Sequence, residues 1–316
     1  MPTIHVLLAA YEGEKFLPEQ IESILKQIKP NTLNVKITIG TDPSNDRTRD
    51  IAENYARSHQ AIDHIANKYP SGSALANFGK LMELASKSDS EYFALADQDD
   101  YWHEDKLIKS FRRITEIEKS SEKGIPILIF TDSQIVNEDL SLVSESFWMH
   151  ERLDPRVCNN YKKLTFQNVG QGCTFLFNRE LLELALPLPK EARMHDHWLM
   201  LVASVFGITS YIEEPTLSYR QHSSNVVGSE GHSWFKSINR VIHKAHTIKS
   251  AIYASEAQAN AFFERFNDKM NPEQRHFFQV ASKLSSLSGV QKRAFLLKNR
   301  IKMSTLDRTI GLYLFI

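Results

Sequence analysis

Four apolar runs of five to seven residues, 4–10, 35–40, 62–66 and 92–96, are each followed by a stretch with helical spacing, at 14–29, 44–58, 73–87 and 103–119. Such short apolar runs, alternating regularly with amphipathic segments, predict parallel βαβ units and an α/β fold. A sheet of that kind takes its ligand outside the carboxyl ends of its strands. Three polar clusters fall there: Tyr11-Glu12-Gly13, Asp42-Pro43-Ser44-Asn45-Asp46 and Asp97-Gln98-Asp99-Asp100.

The last cluster follows Tyr92-Phe93-Ala94-Leu95-Ala96 directly and places three carboxylates in four positions. Like charges that close raise one another's pKa unless a cation neutralises them. One reading is a solvated loop whose aspartates favour the first turn of the next helix. Delivery by an apolar strand to the ligand rim instead favours a hard divalent cation, Mn²⁺ or Mg²⁺, shared with substrate phosphates.

At 316 residues, 42% hydrophobic and 24% charged, the chain can bury one large α/β domain or two smaller ones. Cys158 and Cys173 alone cannot build a zinc cluster, and such sparse cysteine usage fits a reducing, cytoplasmic compartment. Residues 4–10 lack a basic flank and read as a first strand, not a signal core. No apolar run approaches the ~20 residues of a membrane-spanning helix. The zero net charge hides an asymmetry: residues 231–316 sum to +9 and the rest to −9. With the composition shift at 228–231, this divides the chain into a body, 1–230, and a helical basic region, 231–316. Segments such as 290–300 interleave basic and apolar residues. Such helices bind anionic lipid or nucleic acid, or cover a neighbouring domain. No nucleic-acid motif is present, so the expectation is peripheral contact with the cytoplasmic face of the inner membrane, or self-association into a homo-oligomer.

Taken together, Ala10-Tyr11-Glu12-Gly13, the helix that begins Phe16-Leu17-Pro18-Glu19, Thr41-Asp42-Pro43-Ser44-Asn45-Asp46-Arg47-Thr48 and Asp97-Gln98-Asp99-Asp100 resemble family 2 glycosyltransferases over about residues 4–230. Within that family the chain is most similar to the bacterial rhamnosyltransferase-like branch. The resemblance implies a GT-A fold, a Rossmann-like nucleotide-diphospho-sugar transferase domain, here with a helical, basic C-terminal extension. It implies an inverting, Mn²⁺- or Mg²⁺-dependent hexosyltransferase. The donor would be a pyrimidine-nucleotide sugar, foremost dTDP-L-rhamnose, and the acceptor a lipid-linked oligosaccharide of O-antigen or capsule. A UDP-hexose or UDP-hexosamine transferase of the same fold is the near alternative. A nucleotide-sugar-binding protein without turnover is the alternative from another class, since Thr41 and Pro43 replace the family's usual aspartate and glycine.

By the same resemblance, Ala10, Tyr11, Glu12, Asp42, Asn77, Asp97, Gln98 and Arg220 would bind the nucleotide sugar. Tyr11 would border the base, Asp42 would accept the N3–H of a uracil or thymine ring, and Asp97 would lie by the ribose. Asp99 with Asp100 would hold the metal. Tyr219-Arg220-Gln221-His222-Ser223-Ser224-Asn225 resembles a branch signature in which His222 completes the metal shell. On the acceptor side, Gly170 and Gly172 would let backbone approach a sugar closely, although a turn entering a buried strand accounts equally well for them. Inverting transfer needs a carboxylate to take the proton of the attacking hydroxyl, and Asp196 in Met194-His195-Asp196-His197-Trp198 is the candidate. A helix cap is the competing reading. His195, His197 and Trp198 favour the sugar site, because an aromatic ring can pack against a sugar face. A zinc site here lacks a third fixed ligand.

Overall fold

In the computed structural model, alternate residues of the first strand enter two different cores, one on each face of the sheet. Ile4, Val6, Leu8 and Ala10 of β1 (Thr3–Ala10) join one core, and Leu7 joins the other. β4 (Tyr92–Asp97) divides likewise, with Ala94 and Ala96 on the first face and Phe93 and Leu95 on the second. A strand buried on both faces has to be apolar throughout, which is why these runs do not alternate with polar residues. The structure describes residues 2–29, 33–222 and 239–316, with the side chains of 239–246 left out.

The first half follows the predicted alternation: β1, α1 (Leu17–Leu25), β2 (Asn34–Thr41), α2 (Thr48–Ser58), β3 (Ile62–Ala66), α3 (Ala74–Ala85) and β4. Strands β3, β2, β1 and β4 lie side by side and parallel. Then come β5 (Tyr101–Trp102), α4 (Lys106–Ser120), β6 (Ile127–Val136), β7 (Leu142–Ser144), α5 (Phe147–Glu151), α6 (Tyr161–Leu164), β8 (Leu176–Asn178), α7 (Arg179–Ala185), α8 (His195–Phe206) and β9 (Ile208–Arg220). The sheet is mixed here. β8 runs antiparallel between β4 and β6, β9 is parallel to β6, and the order ends β8-β6-β9-β5. Side chains from α1, α2 and α4 fill the first core, and those from α3, α7 and α8 fill the second.

The boundary at 230/231 lies outside the described residues. Beyond it, α9 (Asn239–Phe266), α10 (Pro272–Ala281), α11 (Gly289–Lys298) and α12 (Leu306–Phe315) give the helical extension. Their apolar faces contribute to the second core of the body: Phe262 lies edge-on to Trp198 at 5.4 Å, and Phe266 stacks on it at 6.1 Å. The extension therefore closes the α8 side of the sheet. Phe262→Ala is expected to lower the unfolding free energy by about 3–5 kcal/mol in one cooperative denaturant transition reported alike by body and tail. Separate transitions for the two parts would contradict a shared core.

Candidate active site

The carboxyl ends of β1–β4 form one rim, and hydrogen bonds between its loops fix their spacing. After β1, Glu12 adopts a left-handed conformation (φ 47°) and its N–H donates to Ser44 Oγ at 3.0 Å. The Gly13 N–H donates to Thr48 Oγ1 at 2.7 Å, and the Asp42 N–H to the Ala10 carbonyl at 3.0 Å. Gln98 pairs with the Tyr11 backbone in both directions, at 2.7 and 2.9 Å. That pairing explains Gly13, where a Cβ would come within 2.3 Å of Gln98 Oε1. The Tyr11 ring, 53% exposed, stands clear on the rim, available to a base.

Asp42 is almost enclosed and already accepts from Asn67 Nδ2 (2.7 Å), Ser71 Oγ (2.6 Å) and the Ser71 N–H (3.0 Å). Asn77 is buried, and its Oδ1 accepts from that same Asn67 amide at 3.2 Å. Asn77 therefore holds the wall of the pocket instead of facing a ligand. Asn67 and Ser71, which sequence reasoning missed, shape the loop after β3 around Asp42.

At the end of β4 the three aspartates separate by environment. Asp99 Oδ2 bonds His222 Nε2 at 2.8 Å, which brings the two predicted metal ligands together. Asp97 is partly exposed, and enclosure, then the charges of Asp99 and Asp196, raise its pKa. Asp100 is fully buried and faces inward, its Oδ2 without a hydrogen-bond partner; burial and then Asp99 hold its carboxyl well above the usual range. Ligand-capable atoms of Asp97, Asp100 and Cys173 lie within 4.8 Å of one another. Beside them sits buried Lys106, 4.7 Å over the Trp102 ring. Burial lowers its amine to about 8, against the raising pull of Cys173 and Asp100. Part of the neutralising charge is thus the protein's own. Asp99 and His222 pair a carboxylate with an imidazole, ligand types that Mn²⁺ or Mg²⁺ accepts, whereas Asp97 and Asp100 cluster with Cys173.

Arg220 is also not where the sequence predicts. Only 2% of its side chain is exposed, packed 4.6 Å over Phe16, and its guanidinium donates to the Asp99 carbonyl (2.8 Å), the Glu138 carbonyl and the Glu19 carboxylate. Those donors are committed, so Arg220 sets the position of the Asp99 backbone instead of gripping a diphosphate. Phe16 also stacks on His222 at 5.1 Å. Asn225 of the branch signature lies outside the described residues.

On the opposite side, the first turn of α8 carries Asp196. Its Oδ2 accepts from the Gly172 N–H at 3.2 Å and its Oδ1 from the His197 N–H. Burial raises its pKa to about 6, against the lowering pull of those two bonds. His195 is buried and stacked on Phe78 at 4.0 Å; burial lowers it to about 3, and both ring nitrogens lack partners. A Cβ at Gly172 would meet His195 Nε2 at 2.6 Å, so this glycine gives the histidine its room.

Three acceptor-side expectations fail on geometry. Trp198 is fully buried among Phe262 and Phe266 and donates to the Ala185 carbonyl at 2.9 Å, out of reach of any sugar. His197 is buried against the Leu164 carbonyl. The space above Gly170 belongs to Met200 and Phe175, whose side chains would lie 2.6 and 2.7 Å from an added Cβ. Asp196, His195 and Gly172 remain together, and Asp196 lies close enough to Asp97 to raise its pKa.

Glycosyl transferase family 2 matches residues 5–184, more than half of the chain. The chain belongs to this family. It is a glycosyltransferase of GT-A type with a helical C-terminal region. Among its relatives, the dTDP-rhamnosyl transferase RfbG of Shigella flexneri is 27% identical over 233 residues, which span 70% of this chain and 74% of RfbG. The putative teichuronic acid biosynthesis glycosyltransferase TuaG of Bacillus subtilis (strain 168) is 25% identical over 269 residues, 84% of this chain and 98% of TuaG. Among solved structures, S. aureus TarS 1–349 in complex with UDP-GlcNAc superposes with a TM-score of 0.53 at 16% identity, covering 99% of this chain and 89% of that one. That level of identity speaks for the fold alone.

Proposed function

We propose that this glycosyltransferase moves a sugar, with inversion, from a pyrimidine-nucleotide donor to a lipid-linked oligosaccharide during bacterial surface-polysaccharide synthesis, with dTDP-L-rhamnose as its donor. The observation that carries the reading is the Asp99–His222 pair at the end of β4, with Asp97 beside it and close enough to the half-buried Asp196 carboxylate on α8, raised to about 6, to feel its charge. The similarity to RfbG supports the rhamnosyl donor, and the similarity to RfbG and TuaG supports polysaccharide synthesis.

In this mechanism Tyr11 borders the base and Asp97 lies by the ribose. Asp99 and His222 would hold Mn²⁺ or Mg²⁺, which when bound offsets negative charge on the departing diphosphate. Arg220 keeps the Asp99 backbone in place through its carbonyl. The acceptor hydroxyl oxygen forms a bond to the anomeric carbon from the face opposite the diphosphate and its proton passes to Asp196. The anomeric carbon–oxygen bond breaks and its electron pair leaves with the diphosphate. The backbone N–H groups of Gly172 and His197 hold the Asp196 carboxylate in place, so its geometry does not depend on the substrate.

A thermal-shift screen of nucleotide sugars with Mn²⁺ present tests the donor. Stabilisation follows RT ln(1 + [L]/Kd), about 2.7 kcal/mol at 100 Kd, and dTDP-L-rhamnose is expected to shift the melting transition most. A larger shift with a UDP-hexose or UDP-hexosamine would reassign the donor. Binding without transfer or donor hydrolysis would make the chain a non-catalytic binder.

A further inference from the structure

We propose that the outward face of α12, with the adjoining ends of α9 and α11, is a docking surface for an anionic lipid bilayer. The inward side of α12 is packed: Leu312 is buried, and a Cβ at Gly311 would come within 2.9 Å of Ile248 on α9. Leu306, Ile310 and Leu314, spaced four apart and hence on one face, are 76%, 49% and 62% exposed. On α11, which reaches α12 through the Arg293 bond to the Leu314 carbonyl (3.4 Å), Val290 and Leu297 are also exposed. A stripe of large aliphatic side chains left in water on a globular protein marks a contact surface.

The charge around the stripe identifies the occupant. Leu314 shares the wall of a cavity of about 310 Å³ with Lys249, Tyr253 and Lys292. Glu256, the acidic residue on that wall, has its carboxylate engaged by the Ser285 N–H and hydroxyl at 3.0 and 2.7 Å. Among the described residues, Lys249 and Lys292 form no ion pair, whereas Arg308 on the flank of α12 is paired with Glu151 at 3.2 Å. Exposed aliphatics bordered by unpaired ammonium groups match a bilayer interface, with acyl chains for the stripe and anionic headgroups for the lysines. A protein partner would need acidic groups placed against those same lysines, and a second copy would bring lysine against lysine.

The position of the stripe relative to the catalytic cleft fits an acceptor held in the membrane. Arg308 donates to the Glu151 carbonyl of α5 at 3.0 Å, and Gln167 and Ser304 exchange hydrogen bonds at 2.9 and 2.7 Å, so α12 starts beside the segment that leads to Gly172. This surface is independent of the donor assignment, and its test reads no sugar transfer.

Full-length protein is expected to co-sediment with phosphatidylcholine vesicles that contain phosphatidylglycerol, weakly with pure phosphatidylcholine, and less as salt screens the lysines. L306S/I310S/L314S removes exposed side chains only; it should keep the wild-type melting transition and lower the vesicle partition by at least about tenfold. K249E/K292E, built independently of the stripe, should lower it too. Equal sedimentation of wild type and both variants, or no binding of wild type to the anionic vesicles, would overturn the proposal. So would a triple variant whose oligomeric mass falls in light scattering while its vesicle binding stays the same, which would assign the face to a second copy of the chain.

Discussion

Asp99→Ala is expected to abolish sugar transfer and to remove the advantage that Mn²⁺ or Mg²⁺ gives to nucleotide-diphosphate binding. Asp99 Oδ2 is the atom that meets His222 Nε2, so its loss removes that carboxylate and leaves the imidazole without its partner. The Asp99 carbonyl, held by Arg220, is unaffected by the substitution, so the loop keeps its path and the fold should persist. The decisive measurement is calorimetric titration of the nucleotide diphosphate with and without Mn²⁺. Wild type should bind more tightly with metal, and the variant equally with or without it, because the lost group acts through the cation. Asp100→Asn offers a contrast. Asp100 is buried beside Cys173 and Lys106, apart from the Asp99–His222 pair, so its loss should reduce stability while some metal dependence survives. Full activity of Asp99→Ala, or of wild type in EDTA, would remove the metal from the mechanism.

The first half of the fold was legible because β1, β2 and β4 are buried on both faces, which makes largely apolar runs bounded by polar loops, while β3 at the sheet edge is only partly buried. The observed strands match the predicted runs to within one residue at each end. The second half was not. β8 has three residues, and its antiparallel place between β4 and β6 depends on partners more than 40 residues away, as in the pairings Phe93↔Phe177 and Leu128↔Phe177. No local period encodes that.

The site was legible where loops carry it and illegible where the core does. Trp198 looked like a sugar platform because His195, Asp196 and His197 precede it. The overlooked signal was the apolar run on its C-terminal side, Leu199-Met200-Leu201-Val202-Ala203, which marks a helix buried all round. Lys106 was available to a similar reading: with Ser110 and Ile114 it occupies a four-residue series on the inward face of α4, and a lysine there needs a buried reason. Arg220 could not have been read locally, since its partners Glu19, Asp99 and Glu138 are scattered along the chain and meet only in the fold.

Asp196→Asn is expected to leave folding and donor affinity at wild-type values while kcat falls by at least about 100-fold, because only the proton acceptor is removed. The geometry makes the substitution conservative: the asparagine Oδ1 can take over one of the two backbone donors that Asp196 now accepts, from Gly172 and His197. A residue that only capped α8 would behave differently. Asparagine caps about as well as aspartate, so turnover would be nearly unchanged, and alanine would cost about 1 kcal/mol of stability. The pH profile supplies a second readout. A base works in its ionised form, and burial has raised this carboxyl to about 6. The wild-type kcat/KM should therefore rise through about pH 6 and level off above it, and that limb should vanish in the asparagine variant. Donor affinity by calorimetry and turnover with the lipid-linked acceptor, measured on the Asn and Ala variants together, decide the assignment. Near wild-type turnover of Asp196→Asn would place the base elsewhere.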